Sequence, residues 1–149
     1  MKKIILSVIV LSFSIVLQAQ QLLTKDQKKV QETVVKFFEV LSNRDSISLK
    51  SYATPDVSFY EYGEIWLIDT LIRKGITMNK AADFKRTNTF NFINTKTNKT
   101  MAWVTYRLSS EIFKDGKQVK IQWLETVILL KKKRIWRIKL LHSTLIKRN

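Results

Sequence analysis

The sequence contains no cysteine, one histidine, one proline and three glycines in 149 residues. The absence of cysteine excludes disulfides, iron–sulfur clusters, thiol nucleophiles and a lipid anchor on an N-terminal cysteine. A single histidine leaves few ways to build a metal site. The low proline and glycine content argues against a collagen-like or disordered chain. We therefore expect a folded protein without a metal or an organic cofactor.

Acidic residues are also scarce, because 12 aspartates and glutamates stand against 27 lysines and arginines, a formal charge of +15. Such a charge attracts polyanions, including acidic lipid head groups and nucleic acid. The basic residues are scattered, and their densest run, Lys131 to Arg134, falls in a predicted turn where solvated charge is ordinary. A basic solvated surface is the favoured interpretation, and no specific nucleic-acid partner is expected.

The N-terminus has the pattern of a signal peptide. Two lysines follow the initiating methionine, Ile4–Leu17 is a 14-residue apolar stretch broken only by serines, and Ala19 supplies a small residue for cleavage. As a helix this stretch covers about 21 Å, short of the ~30 Å hydrocarbon core of a bilayer. We expect residues 1–19 to be removed, leaving an exported periplasmic or secreted domain, residues 20–149, with no membrane span. An uncleaved membrane anchor is the alternative.

The first part of the predicted domain is helical. From Thr24 to Asn43, apolar residues recur at helical spacing, which predicts one helix of about five turns with a single apolar face: Val30, Val34, Phe37, Phe38 and Leu41. Asp45 can cap a second, short helix, which Pro55-Asp56 is expected to end because a residue before proline avoids the helical region.

Strands dominate the remainder of the chain. The stretch Gly63–Asp83 is irregular, with one or two helical turns expected at Asp69–Lys74. Alternating or β-branched segments predict five strands: Val57–Tyr62, Phe84–Thr95, Thr100–Ile112, Val119–Leu130 and Ile135–Leu145. Helices followed by a run of strands indicate an α+β fold.

Two turns set the expected pairing of the last three strands. Asp115-Gly116 suits a two-residue type I′ hairpin, which places Tyr106 opposite Glu125 and Leu108 opposite Trp123. If Lys131–Arg134 forms the next turn with Leu130 opposite Ile135, Trp123 faces His142.

This register gives each strand an apolar row on the same face. The expected rows are Ala102, Val104, Tyr106 and Leu108; Ile121, Trp123, Val127 and Leu129; and Trp136, Ile138 and Leu140. Glu125 interrupts the middle row and His142 extends the last, close to Tyr106. Three interpretations stay open: a satisfied core network, the lining of a ligand pocket, or a slip of one residue that turns Glu125 outward.

The C-terminal half carries motifs of a known family. The motifs are Ala102-Trp103-Val104-Thr105-Tyr106, Asp115-Gly116-Lys117, Trp123-Leu124-Glu125-Thr126 and the run from Trp136 to Thr144. With the order of helices and strands, they resemble the nuclear transport factor 2-like superfamily and its SnoaL-like branch. The resemblance implies a cone-shaped α+β barrel, in which a curved antiparallel sheet wraps around N-terminal helices and encloses a pocket. It also implies a homodimer through the outer face of the sheet.

The ketosteroid-isomerase-like branch offers the sharpest enzymatic comparison. Along the first helix, the oxyanion-stabilising tyrosine of that branch falls on Phe37, which has no hydroxyl. Its general-base aspartate falls near Glu61 and its protonated aspartate near Glu125 or Thr126. The resemblance therefore supplies candidate acids but lacks one donor.

These observations favour an exported protein that binds a small, apolar or aromatic molecule. Tyr106 and His142 are expected to supply hydrogen bonds, Trp123 a stacking wall, and Glu125 an acceptor or proton carrier. The alternative is an acid–base lyase or isomerase, for which Glu125, His142 and Glu61 are the catalytic candidates. A second alternative is a noncatalytic basic protein of the cell envelope.

Overall fold

The computed structural model describes residues 22–149, so the expected signal peptide, residues 1–19, lies outside the described residues. Three α-helices occur in this part: α1 (Lys25–Ser42), α2 (Ser46–Ser51) and α3 (Ile68–Ile72), the last continued by a π-helical segment, Arg73–Thr77. In residues 22–149, none of the helices combines the length and the apolar character that crossing a bilayer requires.

Six strands form one curved sheet in the order β2-β1-β6-β5-β4-β3. Their bounds are β1 (Ala53–Glu61), β2 (Glu64–Trp66), β3 (Lys85–Thr97), β4 (Met101–Lys114), β5 (Lys117–Lys132) and β6 (Ile135–Arg148). The sheet is mixed, since β1 and β6 pair in parallel while the other neighbours are antiparallel. The expected α+β fold with N-terminal helices against a curved sheet is confirmed.

Helix α1 agrees with its prediction almost residue for residue. Thr24 and Gln27 form a reciprocal capping box at its start, which satisfies backbone donors that the first turn leaves free. The predicted apolar face is buried against the concave face of the sheet. Gln27 also donates to the carbonyl of Thr95 on β3, at 2.7 Å, and fixes the helix along that strand.

Helix α2 ends earlier than expected. Asp45 caps it as predicted, but β1 already begins at Ala53, so Pro55 lies inside a strand. The pairing of β1 with β6 shifts register between Ala53 and Ser58, and in this irregular segment the missing N–H of proline removes no ladder bond.

The short strand β2, which the sequence did not predict, follows a tight turn at Tyr62 and Gly63, both with positive φ.

The hairpin between β4 and β5 has the predicted turn and register. Asp115 and Gly116 adopt φ angles of 52° and 70°, and Tyr106 lies opposite Glu125. Asp83 accepts hydrogen bonds from both turn amides at 2.8 Å, which ties the loop before β3 to this hairpin.

The predicted register between β5 and β6 is wrong. The turn consists of Lys133 and Arg134 alone, and a bulge at Lys139 shifts the pairing again, so that Trp123 lies opposite Leu145. An extra residue on one strand turns every later side chain to the other face. The inner row of β6 is therefore Trp136, Ile138, Leu141 and Ser143, whereas Leu140 and His142 face outward.

Candidate functional site

A cavity of about 180 Å³ lies between the helices and the concave face of the sheet. Its walls are largely aromatic and aliphatic, and acidic and basic side chains project into it. The lining residues are Phe37, Phe38, Leu41, Phe59, Glu61, Trp66, Leu71, Lys74, Gly75, Arg86, Trp123, Glu125 and Leu141. Two of the four predicted ligand-binding residues, Trp123 and Glu125, therefore line one cavity.

Glu125 is the acid at the centre of this site. It lies in the middle of β5 with only 3% of its surface exposed. Burial, together with the nearby charge of Glu61, raises the pKa of its carboxyl to about 7, although Tyr106, Ser143 and Arg86 oppose the shift. Its Oε2 atom has no hydrogen-bond partner among the described residues. Near neutral pH this carboxyl can therefore exist with or without its proton.

Ser143 connects Glu125 to a second acid, Glu61. Its hydroxyl oxygen lies 2.9 Å from Oε1 of Glu125 and 2.6 Å from Oε1 of Glu61. One hydroxyl carries one hydrogen and can donate it to one carboxylate only. The second contact becomes a hydrogen bond when one carboxyl is protonated and donates to Ser143. The geometry thus suits a pair of glutamates that holds a single proton.

Glu61 is the more accessible member of the pair. It ends β1, immediately before the Tyr62-Gly63 turn, and is half-buried at the cavity wall. Burial raises the pKa of its carboxyl, while Ser143, Arg86 and His142 lower it. Since Glu125 is the more deeply buried acid, we assign the shared proton to Glu125 and the negative charge to Glu61.

Arg86 is a cavity residue that the sequence analysis missed. Its guanidinium carbon lies 5.6 Å from the ring centroid of Phe38 and 5.7 Å from that of Trp123. Hydrogen bonds from Nε to Asn88 and from Nη2 to Ser110 hold it from the side of the sheet. Burial lowers the pKa of Arg86, and attraction to Glu125 and Glu61 opposes this shift. A fixed positive charge therefore stands beside the two acids.

Tyr106 lies beside Glu125 on the neighbouring strand and is fully buried. Its ring contacts those of Phe38, Phe90 and Phe92, and it is not one of the residues that line the cavity. Burial, together with Glu125, raises the pKa of its phenol well above the ordinary value. Its hydroxyl makes no hydrogen bond of standard geometry among the described residues, but it lies close enough to Glu125 to lower the pKa of that carboxyl.

His142 does not join this cluster. The bulge in β6 turns its imidazole to the exposed outer face of the sheet, where it packs edge-on against Tyr60 at 6.0 Å between ring centroids. The expectation that His142 supplies a hydrogen bond inside the pocket is therefore wrong. Ser143, the next residue, takes its place.

Lys74 and Trp66 lie next to each other at the rim of the cavity. The ammonium of Lys74 lies 4.2 Å from the ring centroid of Trp66 and 2.6 Å from the carboxylate of Glu64. Phe37, which aligns with the oxyanion-stabilising tyrosine of the ketosteroid-isomerase-like branch, lines the cavity without a hydroxyl, and its ring stacks on that of Phe59 with 5.8 Å between the centroids. Within residues 22–149, no three His, Asp or Glu side chains are arranged to hold a metal ion.

Comparisons with known proteins agree with this architecture. A nuclear transport factor 2-like protein from Cytophaga hutchinsonii has a TM-score of 0.69 at 13% identity, covering 83% of this chain and 100% of that chain. A ketosteroid isomerase-like protein from Erwinia carotovora atroseptica has a TM-score of 0.67 at 11% identity, covering 84% and 99%. The CaMKII hub of S. rosetta has a TM-score of 0.67 at 19% identity, covering 84% and 100%.

At these identities the structural likeness establishes the fold alone. No curated protein matches the sequence. Residues 30–146 match the SnoaL-like domain family, a range that contains every cavity residue named above. The chain therefore belongs to the SnoaL-like domain family, with the fold of a nuclear transport factor 2-like protein.

Proposed function

We propose that this protein binds a small, mostly apolar molecule in the cavity between α1 and the sheet. The observation that carries the proposal is a buried carboxyl, Glu125, with an unpartnered oxygen, in the wall of a cavity that is lined largely by aromatic and aliphatic side chains. A buried polar group without a partner costs free energy, and a ligand that bonds to it recovers that cost. Arg86 and Glu61 supply a donor and an acceptor beside it.

The size of the cavity limits the ligand. A cavity of about 150 Å³ holds one benzene ring, and the present cavity measures about 180 Å³. Drug-sized ligands occupy pockets of roughly 300 to 1,000 Å³. The enclosed part of the site thus suits one ring with a short substituent. Aromatic walls at Phe37, Phe59 and Trp123 favour a flat ligand that carries one polar group.

Two measurements test the binding proposal. Native mass spectrometry of the purified protein should reveal a bound molecule of this size class. Calorimetry should show that acetophenone binds more tightly than ethylbenzene, which has a similar shape but no carbonyl. The cavity-filling substitution Gly75→Leu should abolish both interactions, because Gly75 lines the cavity and an added Cβ meets only flexible side-chain atoms, Cδ1 of Leu41 at 3.3 Å and Cδ1 of Leu71 at 3.9 Å.

The control for this experiment is His142→Gln, which alters a residue on the outer face. It should bind both probes as the wild type does. If no small molecule accompanies the protein and Gly75→Leu binds the probes as well as the wild type, the cavity is not a binding site and the proposal is wrong.

A second candidate function is proton transfer at carbon, favoured by the pair of glutamates joined through Ser143. An ionised Glu61 with a raised pKa is a stronger base than an exposed glutamate. It would remove a proton from carbon next to a carbonyl, and the electron pair would move onto the carbonyl oxygen. The fixed guanidinium of Arg86 would stabilise the resulting negative charge. In a ketone with a carbon–carbon double bond next to the deprotonated carbon, the enolate extends over that bond, and return of the proton from Glu61 to its far carbon shifts the double bond and completes an isomerisation.

Deuterium exchange separates the two functions without knowledge of the natural substrate. In D₂O, a proton-transfer enzyme exchanges the methyl hydrogens of acetophenone, and a binding protein leaves them in place. Glu61→Gln should abolish exchange while acetophenone still binds. Exchange no faster than in buffer would contradict catalysis and leave the binding proposal unaffected.

We also propose that the protein forms a homodimer through the outer face of the sheet. Trp103, Ile128 and Leu140 are adjacent across β4, β5 and β6 on this face, and Trp103 is 39% exposed. Met101 and Leu130, which face each other two residues further along β4 and β5, extend this apolar surface. A contiguous apolar patch of this kind is typical of a protein–protein contact.

Export is proposed on the pattern of residues 1–19. Intact-mass measurement of the protein recovered from the periplasm or medium should give the mass of a chain beginning near residue 20. A full-length chain confined to the cytoplasm would contradict export.

A further inference from the structure

A second, larger cleft of about 730 Å³ lies where β5 turns into β6, outside the cavity described above. Four basic side chains line it, contributed by α2, β5, the turn and β6: Lys50, Lys132, Lys133 and Arg137. Apolar atoms of Pro55, Ile68 and Ile135 form part of its wall. The cleft therefore combines a cationic rim with an apolar floor.

The positive charge of this cleft is largely unneutralised. Asp69 is the acidic residue in its lining, and it already pairs with Lys50 at 2.8 Å. Among the described residues, Lys132, Lys133 and Arg137 form no ion pair. An adjoining cleft shares Arg137 and adds three more cations, Lys29, Lys36 and Arg134, against one acid, Glu32. Low-charge ligands gain little from this concentration of cations, whereas a polyanionic surface gains much.

The turn between β5 and β6 has a backbone conformation that is unfavourable for its two charged residues. Lys133 and Arg134 adopt φ angles of 51° and 65°, in the left-handed region that costs roughly 1 kcal/mol or more for a residue with a Cβ. The two other tight turns of the sheet, Tyr62-Gly63 and Asp115-Gly116, each have glycine at the second position. The cost of these φ angles is not offset by any contact within the turn. Residues with such unfavourable backbone angles are typical of positions where the side chains have a function.

An exposed aliphatic residue sits beside these cations. Ile135 follows the turn directly and is 52% exposed, although it is the first residue of a strand. Nucleic-acid surfaces use exposed aromatic side chains to stack on bases. No aromatic side chain lines this cleft, and in the adjoining cleft Trp136 is buried and Tyr52 is half-buried. Cations that flank an exposed aliphatic residue suit the surface of a bilayer, where phosphates meet acyl chains.

We propose that this end of the sheet, the basic turn face (Lys50, Lys132, Lys133, Arg134 and Arg137), docks on a bilayer that contains anionic phospholipid. Head-group phosphates occupy the cationic rim, and Ile135 contacts the interface. This surface is separate from the small cavity, and its role does not depend on the ligand or the chemistry of that cavity.

The test exploits the strained turn. The double variant Lys133→Asn, Arg134→Gly installs the Asn-Gly pair that a type I′ turn prefers and removes two cations. We expect its melting temperature to rise while its affinity for vesicles of phosphatidylcholine with one-third phosphatidylglycerol falls about 30-fold, or about 2 kcal/mol for two cations. The rise in melting temperature shows that the loss of affinity does not come from unfolding.

The matched control is Lys114→Gln, Lys117→Gln, which removes the same charge beside the hairpin at the opposite end of β5. It should retain vesicle affinity within about threefold of the wild type, well inside the loss of about 1 kcal/mol expected for each cation at the membrane. Binding to pure phosphatidylcholine vesicles, which carry no net charge, is measured for every variant and subtracted as background.

Several outcomes would overturn the proposal. Equal loss in both double variants would show that affinity depends on net charge and not on the basic turn face. Displacement of the protein by millimolar inorganic phosphate would identify free phosphate as the ligand. Tighter binding to a single-stranded oligonucleotide than to the anionic vesicles would identify nucleic acid instead, and absence of vesicle binding by the wild type would exclude a membrane role.

Discussion

The hydroxyl oxygen of Ser143 lies 2.9 Å from Oε1 of Glu125, an acid that is 3% exposed. The same hydroxyl lies 2.6 Å from Glu61, so it stands between two carboxyls with one hydrogen to give. Because an ionised pair would leave one of these contacts without a proton, the arrangement favours a singly protonated site. The acid–base character of the cavity thus depends on a serine.

The raised pKa of Glu125 predicts how stability depends on pH. Its ordinary value is 4.5 and its folded value about 7, so the folded state holds this proton more tightly than the unfolded chain. The contribution of this proton is present below about pH 4.5 and is lost as pH rises towards 7, by roughly 3 kcal/mol. Burial is the main cause of the raised pKa, and the charge of Glu61 adds to it. Three groups lower the pKa in part: Tyr106, Ser143 and Arg86.

Glu125→Gln removes that titration, since glutamine stays neutral. Relative to the wild type, the variant should gain stability between pH of about 4 and about 8, as measured by urea unfolding. Glu111→Gln, which changes an exposed glutamate on β4, should follow the wild-type curve. A wild type whose stability does not fall relative to Glu125→Gln across this window would show that Glu125 is ionised in the folded protein.

Removal of the Ser143 hydroxyl should raise the pKa of Glu61, because the hydrogen bond that Ser143 donates stabilises the ionised form of that carboxyl. Carbon-13 NMR of labelled glutamate carboxyls should show the Glu61 titration move to higher pH in Ser143→Ala. Ser143→Thr keeps a hydroxyl and serves as the conservative control, with values near those of the wild type. Unchanged titrations in Ser143→Ala would mean that the serine does not couple the two acids.

The outward position of His142 predicts that it contributes little to ligand binding. His142→Gln should change the affinity for acetophenone less than twofold, a free-energy difference of less than about 0.4 kcal/mol. Trp123→Ala should weaken it at least tenfold, since Trp123 forms part of the wall and packs against Arg86. Calorimetry at matched concentrations measures both. Similar losses in the two variants would place the imidazole inside the site.

The apolar patch on the outer face predicts a dimer that one charge disrupts. Trp103→Lys should convert the dimer to a monomer in sedimentation experiments, because a lysine facing Ile128 of its own sheet would be buried without a partner in the contact. Phe113→Lys is the matched control, since Phe113 has a similar exposure of 40% but lies at the far end of β4. A wild-type monomer, or equal dissociation in both variants, would contradict this interface.

Much of the site could be predicted from the sequence. The Asp115-Gly116 turn fixes one register, and that register alone brings Tyr106 opposite Glu125. Arg86 had a detectable signal as well, because Arg86, Asn88, Phe90 and Phe92 alternate along β3 and share its inner face. The signal is weak, since an arginine at the start of a strand is ordinarily solvated.

His142 and Ser143 mark the limit of such reasoning. Their exchange of faces comes from a bulge at Lys139, and no residue type at that position announces a bulge. Whether Glu61 projects into a cavity or into solvent depends on β2 folding back beside β1 and on the helix packed above it. These contacts join residues far apart in the chain.

The sequence by itself determined the helix with one apolar face, the α+β order, the inner rows of β4 and β5 and the pairing of Tyr106 with Glu125, because periodicity and turn chemistry act over a few residues. The tertiary structure decided that Ser143 and not His142 faces the acid, that Arg86 stands between Phe38 and Trp123, and that Glu61 shares the site. The reason is that a bulge turns all later side chains of a strand to the other face. Which of these side chains are then buried depends on contacts with every strand and helix around the cavity.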